Sequence, residues 1–330
     1  MRKLIEPYKK ILIMLSFPYI YMLFVLTVPT QFEGIGPGGV TPVSEAINIE
    51  GVEEIDINTI YVISYEPLTP LQSWLMRMDH DMDVYPRSDF SKTLTLKDQL
   101  DRGQLSKEIS FTNALIAAYD EAMKTEDDVS IDYAFAGLRL DYRPKTRDDL
   151  KIGDRIVAID GTPYSETAPE AFLELAESDL MTLTIRRGDD TFDYVYDRGD
   201  DLYRLRFLLD HTINTAVPAY TLPGLDMLYG GPSGGAMQAL YIYASLVNIN
   251  TQNRRIVGTG TVSSTGSIGR IGGLEQKMIT AQSAGADVFF IPGQHAGEVE
   301  DLERFTFDII YVDSLVDVLN AIKGWDDETA

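Results

Sequence analysis

The sequence contains no cysteine and only three histidines, His80, His211 and His295. The missing thiols exclude a cysteine nucleophile, a disulfide scaffold and Cys-based zinc sites. Three scattered histidines form no metal-ligand pattern, so neither a metal nor another cofactor is expected. Basic residues are also scarce: 28 Lys and Arg stand against 51 Asp and Glu, a formal net charge of −23. Such a surface repels a phosphate backbone, and nucleic acid is not expected as a partner. No G-x-x-x-x-G-K stretch occurs, so the sequence carries no phosphate-binding loop for ATP.

What is present is a 330-residue chain with 45% apolar residues, enough for two compact domains and additional segments. From Ile11 to Val28 the chain is apolar except for Ser16, Pro18, Tyr19, Tyr21 and Thr27. With its flanks this run is long enough to cross a hydrocarbon core of ~30 Å. Arg2, Lys3, Lys9 and Lys10 lie before it or at its start, and Glu33 is the first charge after it. The positive-inside bias keeps the N-terminus in the cytoplasm and places the rest outside the cell membrane. A cleaved signal peptide is the alternative, but "TVPTQFEG" offers no small-x-small site. Residues 1–30 are therefore expected to be a cytoplasmic tail and single-pass anchor. Residues 31–47, rich in Gly and Pro, read as a linker. Within 48–125, Ile55–Tyr65 alternates like a strand, and Thr95–Met123 has helical spacing through Leu100, Leu105, Ile109, Leu115 and Ala118.

Residues 126–197 contain "AFAGLRL", then Leu150, Gly153, Asp154, Ile156, Ile159 and Gly161 in an L-x-x-GD-x-I-x-x-I-x-G order. This pattern resembles a PDZ domain of the kind found in exported bacterial proteases. The resemblance implies a groove that takes an extended peptide as an added strand, lined by Ala136, Gly137, Leu138 and Leu140. The carboxylate-loop pattern of that family is poorly matched at "YAFAGL".

Ser233 stands in "YGGPSGGAMQALYIYASL", among glycines at the mouth of an apolar helical run. A helix-capping turn and a catalytic nucleophile both fit that setting. Gly231–Gly235 also satisfies G-x-S-x-G, and Asp287 and His295 follow in the order of an acyl hydrolase. His295, however, lies in the Gly-rich "PGQHAGE" and reads as a surface turn residue. Without histidine the serine needs another base. Between Lys151 and Lys323 the only lysine is Lys277. On a helix from Leu274 to Ala284 it borders the stripe Leu274, Met278, Ala281 and Ala284, with Glu275 and Gln276 facing away. A lysine driven toward a core loses hydration, and its pKa falls toward neutrality; a surface lysine snorkelling past the stripe is the plainer alternative.

"GPSGG", "GTGTV", "G-x-I-x-x-IGG" and "LxxK", in that order and followed by "AGADVFFIP", resemble the proteolytic domain of the Lon family. With the anchor and the PDZ-like stretch, the whole resembles membrane-anchored PDZ–Lon proteases of Gram-positive bacteria. The resemblance implies a mixed α/β (α+β) chain: an N-terminal transmembrane helix, a PDZ-like β domain with a helical insertion, and a Lon-type proteolytic domain over 198–325. It makes Ser233 the nucleophile and Lys277 the general base. Thr259 is the hydrogen-bond partner of the amine, and Gly231, Gly234 and Gly235 are the bare backbone around an oxyanion and an approaching substrate. Two positions depart from the family: Gly234 replaces the usual alanine, and Gly230 stands where ATP-dependent members carry an acid. The function so implied is ATP-independent cleavage of extended or disordered exported segments by an enzyme that the family allows to be a homo-oligomer. The alternatives are a PDZ adaptor with an inactive protease domain and a Ser–His acyl hydrolase.

Overall fold

A computed structural model describes residues 8–51, 55–223 and 231–328. Arg2, Lys3 and Gly230 lie outside them. In chain order the elements are α1 (Lys9–Thr27), β1 (Phe32–Pro42), β2 (Asn48–Ile49), β3 (Ile57–Tyr65), α2 (Pro70–Met76), β4 (Asp83–Pro86), α3 (Asp89–Thr93) and α4 (Leu96–Ala122). Next come β5 (Ser130–Tyr142), β6 (Arg155–Ile159), β7 (Thr162–Pro163), α5 (Pro169–Leu175), β8 (Leu180–Arg187), β9 (Asp190–Asp197), β10 (Arg206–Val217) and β11 (Tyr220–Thr221). The last part holds α6 (Gly235–Val247), β12 (Ile256–Gly258), β13 (Thr261–Val262), β14 (Ile268–Gly269), α7 (Leu274–Ser283), β15 (Val288–Pro292), β16 (Asp308–Val312) and α8 (Leu315–Glu328).

The principal sheet runs β16-β15-β12-β3-β1-β4. Strands β16, β15, β12 and β3 are parallel, while β1 is antiparallel to both β3 and β4. Strands β12 and β15 are buried along their whole length because both faces are covered. Val288 and Phe290 join one core with α4, α6 and α8. Phe289 and Ile291 point the other way, against Leu274, Met278 and Ala281 of α7. Helix α4 forms where the periodicity predicts one, and it begins with a capping box of Thr95 and Asp98.

A second, antiparallel sheet, β10-β5-β6-β8-β9 with β7 on β6, closes its own core of Leu138, Leu140, Ile156, Phe172, Leu183 and Tyr196. It is inserted between α4 and α6. The ribbon of β5 and β10 joins the two bodies. Ile131 and Ile213 at its base pack on the first core, and Phe207 and Leu209 farther along pack on the second.

Three expectations are corrected here. Residues 31–47 are not a linker, because β1 is an interior strand of the principal sheet. Its glycines provide close approach rather than flexibility: a Cβ on Gly34 would sit 2.5 Å from Met76 Cε, and one on Gly38 would strike the Tyr61 carbonyl. The stretch 48–125 does not merely lead into the inserted module, since β3 and α4 build the same core as α6. Finally, Ala136, Gly137, Leu138 and Leu140 do not line an open groove. Leu138 and Leu140 are fully buried. Strand β10 pairs along the entire β5 edge, with Gly137 opposite Asp210, Leu138 opposite Leu209 and Leu140 opposite Phe207. The place of an added peptide strand is already taken by the chain itself.

Candidate active site

Ser233 lies in a single 3-10 turn, Pro232–Gly234, that runs directly into α6. Pro232 suits the first position of such a turn because it needs no amide donor there. The serine is partly buried. Its carbonyl accepts two hydrogen bonds from the end of β12, from Gly260 N at 2.7 Å and from Thr259 Oγ1 at 3.1 Å. Ala236 N donates back to the Gly260 carbonyl at 2.9 Å. The "GTG" segment is thereby strapped to the serine turn. Its glycines are required by contact, since a Cβ on Gly258 would meet the Met237 sulfur at 2.7 Å, and Gly260 has φ +155° with Ile268 at 2.7 Å.

The glycines around the serine divide by role. Among the described residues nothing lies within 4 Å of a Cβ built on Gly231. On Gly234 it would stand 3.0 Å from Thr59 Cγ2, and on Gly235 2.8 Å from Val262 Cγ1 and 2.9 Å from Ser110 Oγ. Those two positions are bare because protein already fills the space. Their amides are engaged as well: Gly234 N donates to the Gly231 carbonyl and Gly235 N to that of Pro232.

Lys277 is the central feature. Helix α7 carries it under the sheet, where it is 2% exposed. Its Nζ donates to Thr259 Oγ1 at 3.1 Å. Among the described residues no carboxylate pairs with it, and burial alone brings the ammonium down from 10.5 to about 8. Gln276 does not face away as expected. It is buried and donates to Asp83 Oδ2 at 2.8 Å, which fixes the rotation of α7. Thr259 thus connects the two predicted residues: its hydroxyl proton goes to the Ser233 carbonyl, and its lone pair faces the amine. Among the described residues the Ser233 hydroxyl itself makes no hydrogen bond.

His295 is corrected from a surface turn residue to a buried one, 2% exposed. Its Nε2 accepts from Ile271 N at 3.0 Å, which leaves the proton on Nδ1 to bond Glu298 Oε2 at 2.5 Å. Arg270 donates to both the Gln294 carbonyl and Glu298. The group clips the "GRIGG" loop that leads into α7 and leaves His295 no free nitrogen for a serine. His295→Ala is expected to lower stability by about 1–3 kcal/mol through the orphaned Ile271 amide, and to leave any peptide turnover measurable. Thermal unfolding beside a rate assay checks both; complete loss of turnover in a folded variant would restore the acyl-hydrolase alternative.

Two residues escaped the sequence reading. Ser110 on α4 donates to Gln238 Oε1 at 3.2 Å and approaches the Pro232 carbonyl at 3.4 Å, bracing the serine turn from behind. Both are buried polar residues, and Gln238, interrupting the apolar run of α6, was the one visible signal. Between the two bodies is a cleft of about 450 Å³, lined by Ile109, Leu173, Phe207, Leu209, Val262 and Ile268 among others, with neither Ser233 nor Lys277 among its lining residues.

Residues 203–323 match the family model of the Lon protease (S16) C-terminal proteolytic domain. The Lon protease of Mycolicibacterium smegmatis is 31% identical over 120 residues, covering 35% of this chain and 14% of that protein. The Lon protease of Aster yellows witches'-broom phytoplasma is 35% identical over 107 residues, 31% of this chain and 13% of its own length. That of Trichlorobacter lovleyi is 24% identical over 170 residues, 48% of this chain and 20% of its own. The chain thus spans no more than a fifth of these relatives, and what it shares with them is the Lon proteolytic domain.

Proposed function

We propose, from the match of residues 203–323 to the Lon proteolytic-domain family model, that the chain is a membrane-anchored serine endopeptidase with a Ser233–Lys277 dyad. The observation that carries this is the buried, carboxylate-free Lys277 amine, bonded to the one hydroxyl that also holds the Ser233 backbone. A neutral amine has two N–H groups and one lone pair. One N–H is spent on Thr259, which leaves the lone pair for the proton of the Ser233 hydroxyl as that oxygen attacks a peptide carbonyl. The amine then returns the proton to the leaving nitrogen, and water completes the cycle. The substrate backbone comes in past Gly231, which among the described residues has no neighbour where a side chain would stand.

Substrate selection is assigned to the inserted module, whose strand order and α5 helix suit a PDZ-like domain. Because β10 fills the β5 edge, the substrate is placed instead in the cleft between the bodies. Leu173, Phe207 and Leu209 of the module face Val262 there, directly downstream of the "GTG" strap. An extended apolar segment fits that lining. The sequence contains no nucleotide-binding loop, so the substrate has to arrive already unfolded. Helix α1, apolar enough to span a bilayer, would hold the site on the outer side. Incubation of the full chain in detergent, without nucleotide, should cleave unstructured peptides and leave folded proteins intact. Cleavage of folded proteins, or a strict need for ATP, would refute the proposal.

A further inference from the structure

Helix α2 has its apolar side turned outward. Its start is set by a capping box of Thr69 and Gln72. Ser73 and Met76 face the protein, and Met76 fills the space left by Gly34. The opposite stripe is Leu71, Trp74 and Leu75, at i, i+3 and i+4, and Met78 continues it in the turn just past the helix end. Yet Trp74, Leu75 and Met78 are 58%, 51% and 64% exposed. A contiguous outward patch of this kind marks a surface made to meet an apolar partner.

The position of α2 identifies that partner. It packs beside α1, the apolar helix. The residues that leave α1 are tied to the start of α2: Thr30 N and Thr30 Oγ1 both donate to the Leu68 carbonyl at 2.7 Å, and Leu68 N donates to the Phe32 carbonyl at 2.9 Å. A helix of seven residues is only ~10 Å long, so no part of α2 stands far from the plane where α1 emerges. Arg77, at the helix end, lies over the Phe32 ring at 4.9 Å and brings a cation to the same level.

We propose that α2 is a membrane-interfacial foot: Trp74, Leu75 and Met78 enter the headgroup–acyl boundary of the bilayer that α1 crosses, with Arg77 at the phosphates. This rests on the anchor assigned to α1. Indole at such a boundary keeps its ring in the apolar layer and its N–H in the wet one. Two attachments instead of one hold the proteolytic body at a fixed inclination to the membrane.

The chain has two tryptophans, and Trp325 is buried in the protein, so the emission that lipid quenchers reach is that of Trp74. The full chain in phosphatidylcholine vesicles with brominated acyl chains should show blue-shifted Trp74 emission, quenched more by shallow than by deep bromines. Trp74→Phe should remove the quenchable component. Leu75→Asp with Met78→Asp, both at exposed positions, should shift the emission to the red and abolish quenching while the chain stays vesicle-bound through α1. A vesicle-embedded chain whose Trp74 is unquenched, whether water-exposed or covered by protein, overturns the foot and leaves the anchor standing. A chain that does not associate with vesicles overturns both.

Discussion

Replacing Ser233 by alanine will reduce peptide cleavage by about 10⁴- to 10⁶-fold, the range seen when a nucleophile is removed from a catalytic unit. The loss is expected without a change in stability. The structural bonds of this residue run through its carbonyl, to Gly260 N and Thr259 Oγ1, and alanine retains that carbonyl. Among the described residues the hydroxyl holds no partner whose loss would unfold the turn. Rates on an unstructured fluorogenic peptide, read beside a thermal melt, check both halves. Unchanged turnover would place the nucleophile elsewhere; a large drop in melting temperature would make Ser233 a turn residue and nothing more.

Lys277→Met is expected to abolish cleavage and, at neutral pH, to make the protein more stable. The unfolded chain keeps this proton up to the ordinary lysine range near 10.5, whereas the folded chain releases it near 8. Between those values the unfolded state binds more protons, so stability rises with pH. Below about 8 both states are protonated, and the fold bears the whole cost of a buried ammonium. At ~1.4 kcal/mol per tenfold, that displacement is worth about 3 kcal/mol. Methionine fills similar volume without charge, and the forfeited bond to Thr259 offsets about 1 kcal/mol. The net gain of about 2 kcal/mol should appear as roughly 4 °C in melting temperature at pH 7 and disappear as the pH approaches 10.5. A variant that is less stable at both pH values would show that the lysine is charged and paired in the folded protein.

The site was legible in the sequence where short-range pattern carries the chemistry. Ser233 opens a helix, Thr259 ends a strand between two glycines, and Lys277 sits one helical step from an apolar stripe; in the structure Thr259 hydrogen-bonds the Ser233 carbonyl on one side and the Lys277 amine on the other. Helix α4 was equally plain because 27 residues of regular spacing leave little ambiguity. The misread parts depend on what lies across the fold. Glycines at 34, 36, 38 and 39 have the composition of a flexible linker, and only Met76, Met82 and Tyr61 opposite them reveal a strand under close approach. His295 lies in a glycine-rich turn either way; its burial comes from the Ile271 amide, which arrives from 24 residues earlier. The β5 groove failed for the same reason, since strand β10 comes from the far side of the inserted module to close it. Ser110 belongs to a helix whose local pattern says nothing of the turn it braces.

The proposed chemistry depends on the amine at position 277 losing its proton near neutrality. Carbon-13 labelling of the lysine ε-methylene groups, followed through a pH titration of the full chain in detergent micelles, reads that directly. One resonance, missing from Lys277→Met, should titrate with a midpoint near 8, well below the ordinary value of 10.5. If the Lys277 resonance instead titrates with the exposed lysines near 10.5, the amine is charged at the pH of the reaction and cannot take a proton from Ser233.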